Sequence, residues 1–355
     1  MIKSFAGLRF IFALLICAGH FVFTSPKAGT MLNKPLFFDT TAAVTFFFIL
    51  SGFSLAYGFS QKMIDNTFKP FDFLKKRFFK LYPTHILALI IVLLLFGKYY
   101  DWNAETKRNL LLNIFLLQSY VPDMNCYFAF NRVSWYLSSL FFLYIVFAFF
   151  FKSIFKSSRP MWILAILSAI WSIALVLFAH YQKSYDHFVF CVFPPTRLLQ
   201  FFIGAWLFLF YKKLKKININ THLQISAEFI SIIMLIFSWL IRDNIPEKYE
   251  FSFLYVPSCS LIILSFALND GNSFLSRFLG SKTMISLGNI SYPFYMFHLF
   301  CQNIVAYITW NLSSEKPFTF FVIYLIFTIG ISYAVNFLFV KKTIPFIKKR
   351  NKSNE

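Results

Sequence analysis

Arg9 and His20 are the residues of this chain best placed to do chemistry, because both interrupt one otherwise apolar run, FAGLRFIFALLICAGHFVFT at 5–24. An arginine at the centre of a membrane helix costs about 2.5–3.5 kcal/mol on insertion scales, so it turns toward the protein interior. Eleven positions at about 100° each bring both side chains onto one helix face, roughly 16 Å apart along the axis. That face carries a fixed cation and an imidazole that exchanges a proton near neutral pH. Such a base could deprotonate a hydroxyl or take a group onto its own ring nitrogen, and the sequence leaves both routes open. The structural alternative is that Arg9 snorkels to the headgroups while His20 seals a helix contact. Cys17, one turn before His20 on nearly the same face, makes a Cys/His nucleophile conceivable, but a small packed cysteine is the simpler reading.

The elements that must position this pair are membrane helices. Hydrophobic residues make up 58% of the chain, charged residues 14%, and the mean hydropathy is +0.64, a composition of polytopic membrane proteins rather than soluble domains. Runs of membrane length fall at 5–24, 38–60, 81–97, 133–151, 161–179, 195–211, 224–241, 251–269, 285–309 and 318–340, which predicts an all-α fold of about ten spans. The first lacks a small-residue cleavage pattern and is expected to be retained. Residues 110–120 are apolar but too short to cross, and a re-entrant or interfacial helix is expected there.

The net charge of +20 invites a nucleic-acid reading, but its distribution is that of a topology signal. With the N terminus inside, the inner loops and the tail hold 22 of the 34 Lys and Arg, a positive-inside bias. Both termini are therefore expected in the cytoplasm, with one membrane domain over 1–340 and a basic tail at 341–355. The partners expected are the lipid bilayer and small molecules, not nucleic acid. No metal-type spacing or CxxC joins the five cysteines, so no metal is expected. Cys126 and Cys191 both fall in outer loops and could pair there, with nothing further to support it.

Several segments then line up with one family. LRFIFALLICAGHF at 8–21, FFFILSGFSLAYGF at 46–59, FLKKRFFKLYP at 73–83, WYLSSLFFLY at 135–144 and LGNISYPFYMFHLF at 287–300 occur in an order that resembles the acyltransferase-3 family of integral membrane O-acyltransferases. The resemblance implies transfer of an acyl group, most often acetyl, from cytoplasmic acyl-CoA to a hydroxyl of a surface glycan or its lipid-linked precursor, in the bacterial inner membrane. Acetyl-CoA would be a co-substrate, and no bound cofactor is implied.

Matched to the family motifs, Arg9 and His20 would be catalytic, and Arg77 with Lys76 and Lys80 would hold the polyanionic donor. Ser51, Trp135, Arg197, Ser291, Tyr292, Tyr295 and His298 would line the site or meet the acceptor. Each has a structural alternative: a topology determinant for the basic loop, close helix packing for Ser51, hydrogen-bonded packing for Tyr292 and Tyr295, and interfacial anchoring for Trp135 and Arg197. His85 is read as interfacial.

Departures from the pattern matter too. Lys80 stands where a second arginine is common, and Leu140, Gln200 and Thr45 stand where the family often has carboxylates. His20 is left without an obvious carboxylate to orient it, Asp39 being the one acidic candidate nearby. A transporter of a lipid or glycan precursor and a non-catalytic family member are the competing readings. No inverted repeat supports the first. The acyltransferase reading demands a funnel through which the thioester end of CoA reaches from the basic loop to His20, and a solid apolar interior between Arg77 and His20 would contradict it.

Overall fold

The computed structural model describes residues 2–24, 40–181, 187–217, 219–309, 312 and 316–340. Asp39 and the basic tail lie outside the described residues. The chain is 87% helical with no strand among the described residues. Among the described residues, eight helices are long and apolar enough to cross a membrane, so the fold is that of an all-α polytopic membrane protein.

The first three helices are α1 (Ser4–Thr24), α2 (Thr40–Ile64) and α3 (Pro70–Phe96). A short α4 (Ala104–Ile114) is followed by long helices α5 (Trp135–Lys156), α6 (Pro160–Tyr181), α7 (Leu198–Leu214) and α8 (Thr221–Ile241). Then come α9 (Val256–Leu268), the short α10 (Phe274–Leu279), α11 (Lys282–Thr309) and α12 (Pro317–Val335). Two expected spans fall short of the strict length or apolarity. One is α7, only 17 residues long, and the other is α11, whose run of Gly288, Asn289, Ser291, Tyr292 and Pro293 lowers its hydropathy.

Burial separates an inner from an outer ring. The membrane stretches of α1 and α2 are each 67% buried inside the protein, against 11% for α6 and 22% for α8. α6 is apolar nearly all round, and α8 turns its Glu228 inward to Asn269 and Ser273, so both present apolar faces to hydrocarbon. The inner helices touch backbone to backbone. Gly52 of α2 packs on the Phe201 carbonyl of α7 while Gly204 of α7 packs on the Ile49 carbonyl of α2, and a methyl group at either would collide with main chain. Gly288 of α11 meets the Ala6 carbonyl of α1 in the same way, so small residues set the closest helix approaches, as membrane bundles require.

Three further observations correct the sequence reading. The helix expected at 110–120 begins earlier, because the Asn103 side chain accepts from the Thr106 N–H, and it ends at Ile114. There Leu116 takes a left-handed φ of 57° and the Leu117 N–H returns to the Leu112 carbonyl, a Schellman-type stop. His85 is fully buried rather than interfacial, its Nε2 3.0 Å from the Asn113 carbonyl of α4. All five cysteines are free and buried, so Cys126 and Cys191 do not pair.

Candidate active site

His20 sits on α1 and His298 on α11, and the packing of these two helices through Gly288 brings the imidazoles together. His20 Nδ1 lies 2.8 Å from His298 Nε2, and His298 Nδ1 lies 2.6 Å from the Tyr295 carbonyl. The protons on this chain follow from its end. A carbonyl only accepts, so His298 Nδ1 carries a proton, and neutral His298 presents Nε2 as an acceptor. His20 Nδ1–H then donates to it, which leaves the basic lone pair of His20 on Nε2. A histidine and a backbone carbonyl thus do the orienting that a carboxylate would otherwise do.

Cys17 is not part of this arrangement. Its sulfur meets the Tyr324 hydroxyl of α12 at 2.8 Å, and it is completely buried.

At the other end of α1 the sequence-predicted cations converge. Lys76, Arg77 and Lys80 line a cleft of about 370 Å³ together with Lys62 and Lys69, within the usual size range of small-molecule sites. Arg77 is held there over the rings of Phe59, Phe73 and Tyr144 at 5.2–5.6 Å. Half-buried Arg9 stands close enough to Lys80 for the two charges to act on each other. Arg9 makes no hydrogen bond or ion pair with the described residues. Asp72 is the one carboxylate lining the cleft, so the five cations there exceed the fixed anions and suit a polyanionic ligand.

Between this cleft and the histidines, tyrosines are packed among the apolar side chains. Arg77 lies over the Tyr144 ring at 5.6 Å, and Tyr136 stands eight residues before Tyr144 on α5, about 12 Å away along the axis. Tyr136 meets Tyr295 at 5.6 Å, and Tyr295 meets His298 at 6.0 Å between ring centroids. Tyr295 is anchored by its hydroxyl to the Val133 carbonyl and Tyr292 to the Leu81 carbonyl, each at 2.8 Å. Ser51 donates to the Phe47 carbonyl and lies beside the Tyr136 phenol, while Ser291 donates to the Gly288 carbonyl. Buried phenols therefore lie at both ends of this stretch, Tyr144 at Arg77 and Tyr136 with Tyr295 at His298. Sequence reading missed Tyr136 and Tyr144, which stand about 80° apart around α5.

Arg197 and Trp135 pair with each other instead. The guanidinium, 1% exposed, donates to the Cys191 and Phe251 carbonyls, reaches Gln200 Oε1 at 3.4 Å, and lies between the Phe48 and Trp135 rings. Every side of Arg197 is occupied by protein, so it fastens the turn before α7 to the segment before α9.

A bundle of membrane-spanning helices with paired imidazoles in its interior and a cationic cleft at one end defines a multi-pass membrane protein. The profile of the acyltransferase-3 family, described as an acyltransferase domain, matches residues 2–337, and the chain belongs to that family. It is similar to Acyltransferase MdmB of Streptomyces mycarofaciens, 25% identical over 316 residues that cover 84% of this chain and 78% of the relative. A 50-residue stretch is 48% identical to Protein 2 in picA locus of Rhizobium radiobacter, covering 14% of this chain and 26% of that protein. No solved structure matches. The chain is therefore a membrane acyltransferase.

Proposed function

We propose that this chain moves an acyl group, acetyl in the first instance, from cytoplasmic acyl-CoA to a hydroxyl of a surface polysaccharide or its lipid-linked precursor, in a bacterial inner membrane. The observation that carries this reading is the His20–His298 pair in the same bundle as the cationic cleft around Arg77. The positive-inside rule assigns the basic end to the cytoplasm, where the phosphates of CoA would meet Lys76, Arg77 and Lys80. The thioester arm would then extend along Tyr144, Tyr136 and Tyr295 toward His20. There the acceptor hydroxyl gives its proton to His20 Nε2 as its oxygen bonds to the thioester carbonyl carbon. The carbon–sulfur bond breaks, and the departing CoA thiolate takes the proton back. An acyl-imidazole on His20 is the two-step version of the same transfer.

The test is transfer of labelled acetyl from acetyl-CoA into lipid-linked or polymeric glycan by membranes containing the chain, beside equally expressed His20→Ala. Loss of roughly 10²–10⁴-fold of the rate is expected for removal of a general base. Equal label in both would remove His20 from the chemistry.

A further inference from the structure

Phe130 holds a left-handed backbone, φ 58°, a conformation that a bulky residue keeps only where its surroundings impose it. Those surroundings tie the loop to the histidine site. The next residue, Asn131, donates from its side-chain amide to the Met296 carbonyl at 3.0 Å, two positions before His298 on α11. Only the NH₂ of the amide can face a carbonyl, so its oxygen points elsewhere. Asn131 is 3% exposed, and that oxygen has no partner, a state that costs about 1–3 kcal/mol and that a ligand hydroxyl would relieve.

The rest of the loop is aromatic and cationic. Half-buried Phe130 packs on Tyr100 with ring centroids 5.0 Å apart, and Tyr100 on Trp102 at 6.1 Å. Exposed Arg132 lies over the Phe128 ring at 5.1 Å and near enough to His20 for its charge to be felt there. Flat rings, a planar donor and an unmet amide oxygen against the helix that carries His298 suit a molecule with both C–H faces and hydroxyls. An acyl chain or lipid tail would leave the oxygen unmet.

We propose that residues 128–132 with Tyr100 form the acceptor subsite, built for a polyhydroxylated carbohydrate ring that stacks on the aromatic side chains and offers hydroxyls to Asn131 and Arg132. This rests on the acyltransferase reading above and adds to it where the acceptor sits. Two measurements on the full chain test it, using Tyr100→Ala and Arg132→Ala, whose side chains reach the surface and leave the core intact.

In the transfer assay, each variant should raise the acceptor KM about tenfold while the donor KM stays unchanged. Arg132→Lys should recover only part of the loss, because it keeps charge without the planar fork. In the second measurement, chain in lipid nanodiscs is passed over immobilised glycan extracted from the envelope of the producing cells. The native chain should be retained, and the two variants about tenfold less. Unchanged acceptor KM and retention, a shift in donor KM alone, or no retention of the native chain would each overturn the proposal. Retention lost in the variants while no label is transferred would uphold this subsite and overturn the acetyl-transfer reading instead.

Discussion

Two intramembrane arginines, Arg9 and Arg197, show how the same side chain serves opposite ends. Arg197 is buried, and its donors are spent on the Cys191 and Phe251 carbonyls and on Gln200. Arg9 is half-buried, makes no hydrogen bond or ion pair with the described residues, and faces Lys80. A charge in a low-dielectric interior is tolerated only when something meets it. For Arg197 the protein is that partner, which makes it a fastener. Arg9 has no such partner among the described residues, and the proposed acyl donor would supply one.

Breaking the two arginines should therefore give different losses. Arg197→Ala strands buried carbonyls at about 1–3 kcal/mol each, so the largest expected effect is loss of folded chain, read as aggregation or a broad, early transition in detergent melting. Arg9→Ala should melt as the native chain does while the acyl-donor KM rises by about ten- to a hundredfold, two charge-assisted contacts' worth. An Arg9→Ala chain that melts early with its donor KM unmoved would collapse the distinction.

Smaller changes sharpen it. His298→Phe keeps the volume but removes the acceptor that fixes the His20 tautomer, and should slow transfer about tenfold or more at unchanged donor KM. Tyr295 hydrogen-bonds through its own hydroxyl to the Val133 carbonyl, so Tyr295→Phe should cost stability, about 1 kcal/mol, before it costs rate.

The smallest effect concerns His187, in the loop before α7. Burial, with the Arg197 charge nearby, pushes its pKa below the ordinary histidine value of 6.5, and Nδ1 lies 3.2 Å from the Tyr127 hydroxyl. The unfolded chain binds the proton first as pH falls, so stability is lost below about pH 6.5 and is intact above it. Melting of His187→Gln at about pH 7.5 and 5.5 should show less acid loss than the native chain. An identical loss would place the acid sensitivity elsewhere.

Much of the fold was legible because hydrocarbon imposes one rule on every span, and Arg9, His20 and His298 stood out as polar residues in apolar runs. The cationic cleft was legible from the clustering of Lys76, Arg77 and Lys80. The helix at 110–120 was misplaced because its limits depend on the Asn103 cap and the Leu116 turn, which hydropathy does not register. His85 was read as interfacial for want of any sign that Asn113 covers it. Tyr136 and Tyr144 passed unnoticed because tyrosines in a phenylalanine-rich helix look like packing until their neighbours are known.

What the amino-acid order determined by itself is therefore the all-α membrane class, the run of helices and the face shared by Arg9 and His20, since these depend on local apolarity and on the helical repeat. Tertiary structure alone decided that His298 orients His20, that Arg197 is consumed by carbonyls while Arg9 is not, and that Phe130 and Asn131 stand beside α11. Those are contacts between segments far apart in the chain, fixed by how closely Gly288 and Gly52 let the helices approach, and only the packed bundle contains them.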